Sequence, residues 1–263
     1  MVSYYLPSTK LLVRGRKLVK MRYESCAQEL EDIILYVALQ DVDEGFYIDI
    51  GANDPIEISV TKFFYDRGWS GINVEPLRSK CALLENERPR DINLCIGISD
   101  RRGETAVVAA GSGSTFSDKV AQNLGYSNNN KYMKTTLTLS DIFEKYCNKN
   151  QQIHFCKIDV EGYEKQVLEG VNDWNVYRPW IFVIEAVEPG TSIPAYELWE
   201  DILLKNGYVL AYKTGINRYY LDKRKEHLME RFGEIQKFVS ENSIVKMEMT
   251  DVDAIKILAV CEL

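Results

Sequence analysis

The chain has 263 residues, 46% hydrophobic and 27% charged, a balance suited to a globular protein that buries roughly 70–75% of its unfolded surface without a disulfide or metal staple. A net charge of −7 and a pI near 5.1 argue against nucleic acid as the main partner. Six scattered cysteines without a C-x-x-C pair read as reduced thiols of a cytoplasmic protein, and two distant histidines, His154 and His227, suggest no metal cluster. No apolar run reaches the 18 or so residues of a membrane span, and the start lacks a signal-peptide core.

Residues 1–22 carry Lys10, Arg14, Arg16, Lys17, Lys20 and Arg22 and no acid. They read either as a solvated terminal segment or as a basic arm for a membrane surface or a partner enzyme. An amphipathic helix follows over Cys26–Leu39, with Leu30, Ile33, Ile34 and Val37 at helical spacing. From there the chain alternates strands and helices. The predicted strands are Phe46–Ile50, Gly71–Val74, Asn93–Ile98, Phe155–Val160, Trp180–Ala186, Tyr208–Lys213 and Arg218–Leu221. The predicted helices are Val60–Arg67, Lys80–Glu87, Leu139–Cys147, Tyr163–Gly170 and Ala195–Asn206. Short apolar runs without strict alternation belong to strands covered on both faces, so the expected fold is α/β. It should hold a mostly parallel seven-stranded sheet with helices on both faces. The last two strands flank Thr214–Asn217 as a hairpin, so the sheet should end in an antiparallel strand.

Residues 109–135, rich in Gly, Ser and Asn, read as a long polar loop. Residues 222–237 read as an exposed helix, and 244–263 as a further strand or two. The organisation expected is a basic segment and helix over 1–40, the α/β domain over 41–235, and an extension over 236–263 packed on the same domain.

Chemistry gathers at the ends of the strands. Phe46-Tyr47-Ile48-Asp49-Ile50-Gly51-Ala52-Asn53 runs from a buried strand into a small-residue turn, and ligands of open α/β sheets bind at such turns. Gly51 and Ala52 leave room for a ligand to touch backbone, and a helix N-terminus just beyond would offer free N–H groups to a carboxylate. Asp49 can accept from an amine or organise the loop. Asn53 and Ile56 stand where the dinucleotide fingerprint needs glycines, which disfavours an NAD-dependent oxidoreductase. At the end of the second strand, Glu75 before Pro76 can grip both ribose hydroxyls. One strand later, Ser99 and Asp100 stand where an adenine amino group would lie. In His154–Glu164, strand alternation places Lys157, Asp159 and Glu161 on one face, a costly grouping unless paired or solvated. Lys157 with Asp159 can equally be a structural ion pair. His154 reads as structural, and Glu185 ends the next strand either facing the same cleft or paired in the core.

The sequence resembles the FkbM family of methyltransferases. The likeness runs through Ser25–Glu29, Asp49–Asn53, Phe64–Trp69, Asn73–Pro76, Lys157–Glu164 with Val167-Leu168, and Gly215–Tyr220. Gln28–Asp32 departs from the glycine usual in the first motif. The resemblance implies a Rossmann-like class I methyltransferase fold, with S-adenosylmethionine held by Asp49, Gly51, Asn53 and Glu75. It also implies O-methylation, often of sugars in surface glycans or of polyketide hydroxyls. Together with the strand-end residues, the expected cofactor set is Gln28, Asp49, Gly51, Asn53, Glu75, Pro76, Ser99 and Asp100.

The acceptor is expected to be a small molecule or glycan. With histidine scarce, the expected base for its hydroxyl is Asp159 first and Glu161 second, with Lys157 positioning them. Gly111–Asn130 would be the acceptor lid, with Ser114 and Thr115 touching the acceptor. One rival is a metal-dependent glycosyltransferase using Asp41-Val42-Asp43 or Asp251-Val252-Asp253. Another is a non-catalytic S-adenosylmethionine-binding partner of a glycan enzyme.

Overall fold

A computed structural model describes residues 25–241, apart from 111, 112, 124, 126–130 and 149. The basic segment 1–22, the extension 244–263 and the motif Asp251–Asp253 lie outside the described residues. In chain order the first half contains α1 (Glu31–Ala38), β1 (Phe46–Ile50), α2 (Lys62–Tyr65), β2 (Ser70–Val74), α3 (Arg78–Glu87), β3 (Ile92–Leu94), β4 (Gly97–Ile98), β5 (Gly103–Ala110) and β6 (Gly113–Thr115). The second half contains α4 (Asp118–Asn123), β7 (Lys131–Leu137), α5 (Leu139–Tyr146), β8 (Phe155–Ile158), α6 (Glu164–Glu169), β9 (Ile181–Glu185), α7 (Glu200–Lys205), β10 (Tyr208–Lys213), β11 (Asn217–Asp222) and α8 (Met229–Glu241).

The apolar runs form a seven-stranded sheet in the order β10-β11-β9-β8-β1-β2-β3. β11 runs antiparallel to β9 and β10, and the remaining pairings are parallel. This is the Rossmann-like architecture expected from the sequence, including its antiparallel hairpin strand. The chain leaves β1 toward β2 and β3, then returns to β1's other side through β8. The crevice beyond the carboxyl ends of β1 and β8 is therefore the topological switch point, where open α/β sheets bind ligands.

Side-chain parity splits the core in two. Ile48, Ile50, Ile72, Val74, Cys156, Ile158, Phe182 and Ile184 pack with Ile142 and Phe143 of α5, Val167 and Leu168 of α6, and Leu203 of α7. Tyr47, Phe155, Ile181, Val183, Tyr219 and Leu221 pack on the opposite face with Leu35 of α1, Phe63 and Phe64 of α2, and Phe232 of α8. Each such fully buried side chain contributes about 1.5–3 kcal/mol over its exposed state. Because strand residues alternate, Asp49, Lys157 and Glu185 share the second face, two residues beyond Tyr47, Phe155 and Val183. The register sets Asp49 directly opposite Lys157.

Several elements differ from the sequence expectation. The predicted strand Asn93–Ile98 is broken: β3 ends at Leu94, and Gly97-Ile98 becomes β4 of a second sheet ordered β4-β7-β5-β6. Much of the segment expected as a loop over 109–135 belongs to this sheet or to α4. Its strands carry small or exposed residues, so no apolar run marked them. α1 begins at Glu31 rather than at Cys26. Leu30 is left-handed (φ 65°), and the Asp32 carboxylate holds residues 25–26 as a loop by accepting from Ser25 Oγ at 2.6 Å and Cys26 N at 2.9 Å. The helix expected over 195–206 is a 3-10 turn, Tyr196–Leu198, followed by α7, and the one expected over 222–237 starts as a 3-10 turn, Lys223–Leu228, before α8. Among the described residues no helix is long and apolar enough to cross a membrane.

Candidate active site

β1 delivers Gly51 to the carboxyl edge with φ 80°, a conformation that disfavours any side chain. A Cβ there would lie 1.8 Å from the carbonyl oxygen of Asp159. Glycine is thus required by the neighbouring turn after β8, a reason for it that the sequence argument did not include. The N–H groups of Gly51 and Ala52 both donate to Val74 O, at 3.0 and 3.1 Å. Asn53 is left-handed (φ 49°) and donates its N–H to Glu75 Oε2 at 2.9 Å, while Leu77 N donates to Glu75 Oε1 at 2.8 Å. Pro76 has no N–H, so Leu77 is the first donor available beyond the strand. Glu75 is buried, and desolvation raises its pKa above the usual carboxylate range. Each of its oxygens keeps a second lone pair. No helix N-terminus follows directly: residues 52–61 turn irregularly before α2, which corrects the expected carboxylate site.

The charges anticipated on β8 do converge. Lys157 Nζ donates to Gly51 O at 3.0 Å and lies 3.3 Å from Asp159 Oδ2 and 3.5 Å from Asp49 Oδ1. Thr61 Oγ1 donates to the other Asp49 oxygen at 3.0 Å. Burial opposes the charge on Lys157, but Asp159 and Asp49 outweigh it and raise the pKa above that of a free lysine, so the ammonium is permanent. Lys157 is therefore a clamp that joins the turns after β1 and β8.

Glu161 reaches the same place by a different route from the one predicted. β8 ends at Ile158, and Glu161 sits in a turn with φ 54°, followed by Gly162 at φ 87°. Strand alternation does not extend to it. The second sheet holds this turn: Thr115 Oγ1 donates to Glu161 O at 2.8 Å, Val120 covers Gly162, and the Phe116 and Tyr163 rings meet at 5.7 Å. Thr115 thus positions backbone. Burial, then the Asp159 charge, lifts the Glu161 carboxyl to about 7. Glu164, also lifted to about 7 by burial, accepts from the N–H groups of Val160 and Gly162, both at 3.1 Å. Glu185 closes β9; burial first, and then Asp159, Glu164 and Glu161, raise its pKa strongly.

Other expected residues lie elsewhere. Ser99 and Asp100 follow β4, not the third strand of the main sheet, where Cys95 and Ile96 stand instead. Ser99 Oγ donates to Asp100 Oδ1 at 2.8 Å and lies 3.5 Å from the Tyr163 hydroxyl. Gln28 is exposed in the segment that Glu29 and Glu31 fasten to the β10–β11 turn, through Ile216 N at 2.9 Å and Asn217 Nδ2 at 2.7 Å. His154 accepts from Phe46 N at 3.0 Å and is held neutral by burial, with its pKa down at about 4, so it is structural as expected. Asp41 pairs with Arg231, and among the described residues no three His, Cys, Asp or Glu side chains are placed to hold a metal ion. Thr61, Glu164 and Tyr132 were not anticipated. Tyr132 rises from β7 near Glu75, Cys95 and Cys81; burial foremost, then these neighbours, lifts its phenol to about 12.

The Methyltransferase FkbM domain matches residues 49–210, more than half of the chain and the whole stretch from the first turn through β9. The chain belongs to the FkbM methyltransferase family. No curated protein matches it. Among solved structures, the methyltransferase FkbM from Methylobacillus flagellatus KT is 17% identical, with a TM-score of 0.44. That match covers 68% of this chain and 44% of the other, so this chain spans less than half of that protein's length.

In this FkbM methyltransferase, three buried oxygens at the switch point accept no hydrogen bond: Asp49 Oδ1, Asn53 Oδ1 and Glu185 Oε2. Lys157 neutralises the first electrostatically but stands 3.5 Å away. A buried polar oxygen without a partner costs about 1–3 kcal/mol, and these three stand beside the turns that close β1, β8 and β9.

Proposed function

We propose that this enzyme transfers the methyl group of S-adenosylmethionine to a hydroxyl oxygen, that of a sugar in a surface glycan or glycoconjugate. The observation that carries the reading is the set of unpaired acceptors, Asp49 Oδ1, Asn53 Oδ1 and Glu185 Oε2, in a crevice whose buried charges are mostly acidic. An adenosyl sulfonium with an α-ammonium and ribose hydroxyls has the complementary donors and charge. Asp49 and Asn53 would take the amino-acid end and Glu75 the ribose, through the lone pairs its backbone bonds leave open.

When bound, S-adenosylmethionine supplies an electrophilic methyl group on a cationic sulfur. The chain's own task is to orient the acceptor and exclude water, which can lower the barrier by roughly 7–11 kcal/mol. A sugar hydroxyl must also lose its proton, and a positioned base adds about 10²–10⁴-fold. Of the two carboxylates considered for that role, Glu161 is better placed than Asp159. Asp159 is committed to Lys157 at 3.3 Å, whereas Glu161 is held near 7, where it can take a proton and release it again at neutral pH. Asp159 then raises the basicity of Glu161, and Lys157 keeps Asp159 in place.

Calorimetric titration with S-adenosylhomocysteine tests the donor site, and transfer of tritiated methyl from S-adenosylmethionine to nucleotide-sugars and glycans tests the acceptor. Saturable binding and labelled sugar ethers are expected. No binding of S-adenosylhomocysteine would overturn the reading.

A further inference from the structure

At the seam between the two sheets, two thiols and an ammonium come together. Cys81 lies in the second turn of α3, buried, and its Sγ–H donates to the carbonyl oxygen of Glu75 at 2.8 Å. Cys95 stands just past β3, part exposed, on the chain that flanks Glu75: the Glu75 N–H donates to Leu94 O at 3.0 Å, so both cysteines lie beside that residue. From β7 of the second sheet, Lys134 Nζ donates to Cys95 Sγ at 3.1 Å. Nothing in methyl transfer uses this trio, and apolar packing alone does not require a lysine on a sulfur.

We propose that Cys95 and Cys81 form a peroxide-reactive dithiol, with Lys134 as its activating cation. The division of roles follows from exposure. Cys95 can meet a hydroperoxide, and Lys134 offsets the negative charge its sulfur carries during attack. Cys81 is shielded, and burial keeps it a thiol, so it acts second. In the first step the Cys95 sulfur bonds to the distal peroxide oxygen, the O–O bond breaks, and the leaving oxygen takes the Cys95 thiol proton to depart as water or an alcohol, giving a sulfenic acid. In the second step the Cys81 sulfur attacks that sulfur, the S–S bond forms, the S–O bond breaks, and the Cys81 proton departs with the oxygen as water. The two thiols are oxidised by two electrons and the peroxide is reduced by two. A dithiol reductant reverses the bond by exchange.

The consequence reaches the donor site through one atom. Oxidation removes the Cys81 hydrogen from the Glu75 carbonyl and ties α3 to the chain after β3, while the Glu75 side chain still anchors Asn53 and Leu77. Oxidised protein should bind S-adenosylhomocysteine about tenfold more weakly, an effect that rests on the role given to Glu75 under Proposed function.

The test treats the full chain with hydrogen peroxide, blocks remaining thiols, and maps peptides by mass. A Cys81–Cys95 cross-link reversed by dithiothreitol is expected. Cys81→Ser should leave a Cys95 sulfenic acid that dimedone captures, and Lys134→Met should slow oxidation about tenfold, because the cation is gone while the stem remains. Peroxide that never links these two residues, or an unchanged rate in Lys134→Met, would overturn the dithiol. A cross-linked protein with unaltered S-adenosylhomocysteine affinity would overturn its coupling to the donor site. Failure of the reduced protein to bind S-adenosylhomocysteine would instead overturn the donor reading, and the peptide map alone then decides the dithiol.

Discussion

Replacing Gly51 with alanine tests how tightly the first two turns are locked together. Two costs arise, and the structure separates them. The left-handed backbone at φ 80° penalises any Cβ by about 1–2 kcal/mol. The new methyl would also lie 1.8 Å from the Asp159 carbonyl oxygen, against a minimum near 3.0 Å, so that carbonyl must retreat by about 1.2 Å. Such overpacking costs about 1–3 kcal/mol. The retreat strains the last rung between the strands, where Asp159 N donates to Ile50 O at 3.0 Å, and moves Asp159 away from Lys157. The total loss is about 2–5 kcal/mol, measured as a lowered urea midpoint with unchanged slope. Gly68 provides the control. It has φ 91° but open space around its missing Cβ, so Gly68→Ala should lose only the backbone share of about 1–2 kcal/mol. Equal losses in the two variants, or a Gly51→Ala protein within 0.5 kcal/mol of wild type, taken as roughly the limit for surface changes, would refute the clash.

Glu161 makes two pH predictions of opposite sign. Its carboxylate form grows as pH rises through about 7, so kcat/KM should climb with an apparent pKa near there, and Glu161→Gln should be lower and flat. Its raised folded pKa contributes stability that is complete below about 4.5 and lost as pH rises through 7, so Glu161→Gln should be more stable than wild type at pH 8, by up to about 3 kcal/mol in chemical denaturation. Arg178 grips both oxygens of buried Asp222, at 2.9 and 3.0 Å, and Arg178→Met should cost about 3 kcal/mol in guanidinium unfolding, since Asp222 keeps only Arg224. Asp141, held down at about 2 by Arg102, closes the capping box of α5 with Thr138. Its stabilisation is present above about pH 4 and fades as pH falls through 2, so Arg102→Gln should unfold at higher pH in an acid titration followed by circular dichroism. Thr138→Ala should lose about 1 kcal/mol at neutral pH.

The central strands of the main sheet were legible because they are covered on both faces and therefore largely apolar, with their polar groups near the carboxyl ends. Ile48, Ile158 and Phe182 could hardly sit elsewhere. The second sheet was not, because a strand such as Lys131–Leu137 exposes most of its side chains and carries lysine and threonine where a core strand carries valine. The pairing of Lys157 with Asp159 was readable from strand parity, whereas the approach of Asp49 depends on the register of β1 on β8, which the sequence does not show. Glu161 was expected nearby for an incorrect reason, since a left-handed turn and not strand alternation brings it there. Glu164 had a local signal that went unread: an acid three residues after Glu161 at the start of α6 can turn back to cap the preceding N–H groups. The partnership of Thr115 with Glu161, 46 positions apart, has no local signature at all.

That partnership separates two inheritances within one chain. The turns after β1, β2 and β8 interlock at one seam, where Gly51 packs on the Asp159 carbonyl and Asn53 donates to the Glu75 carboxylate. The backbone under Glu161 is buttressed from outside by Thr115 of β6, by Phe116 and by Val120 of α4, all on the peripheral stretch between β5 and β7. Under the proposed function, substitutions among these neighbours would reshape the surroundings of Glu161 while leaving untouched the turns that would hold the methyl source.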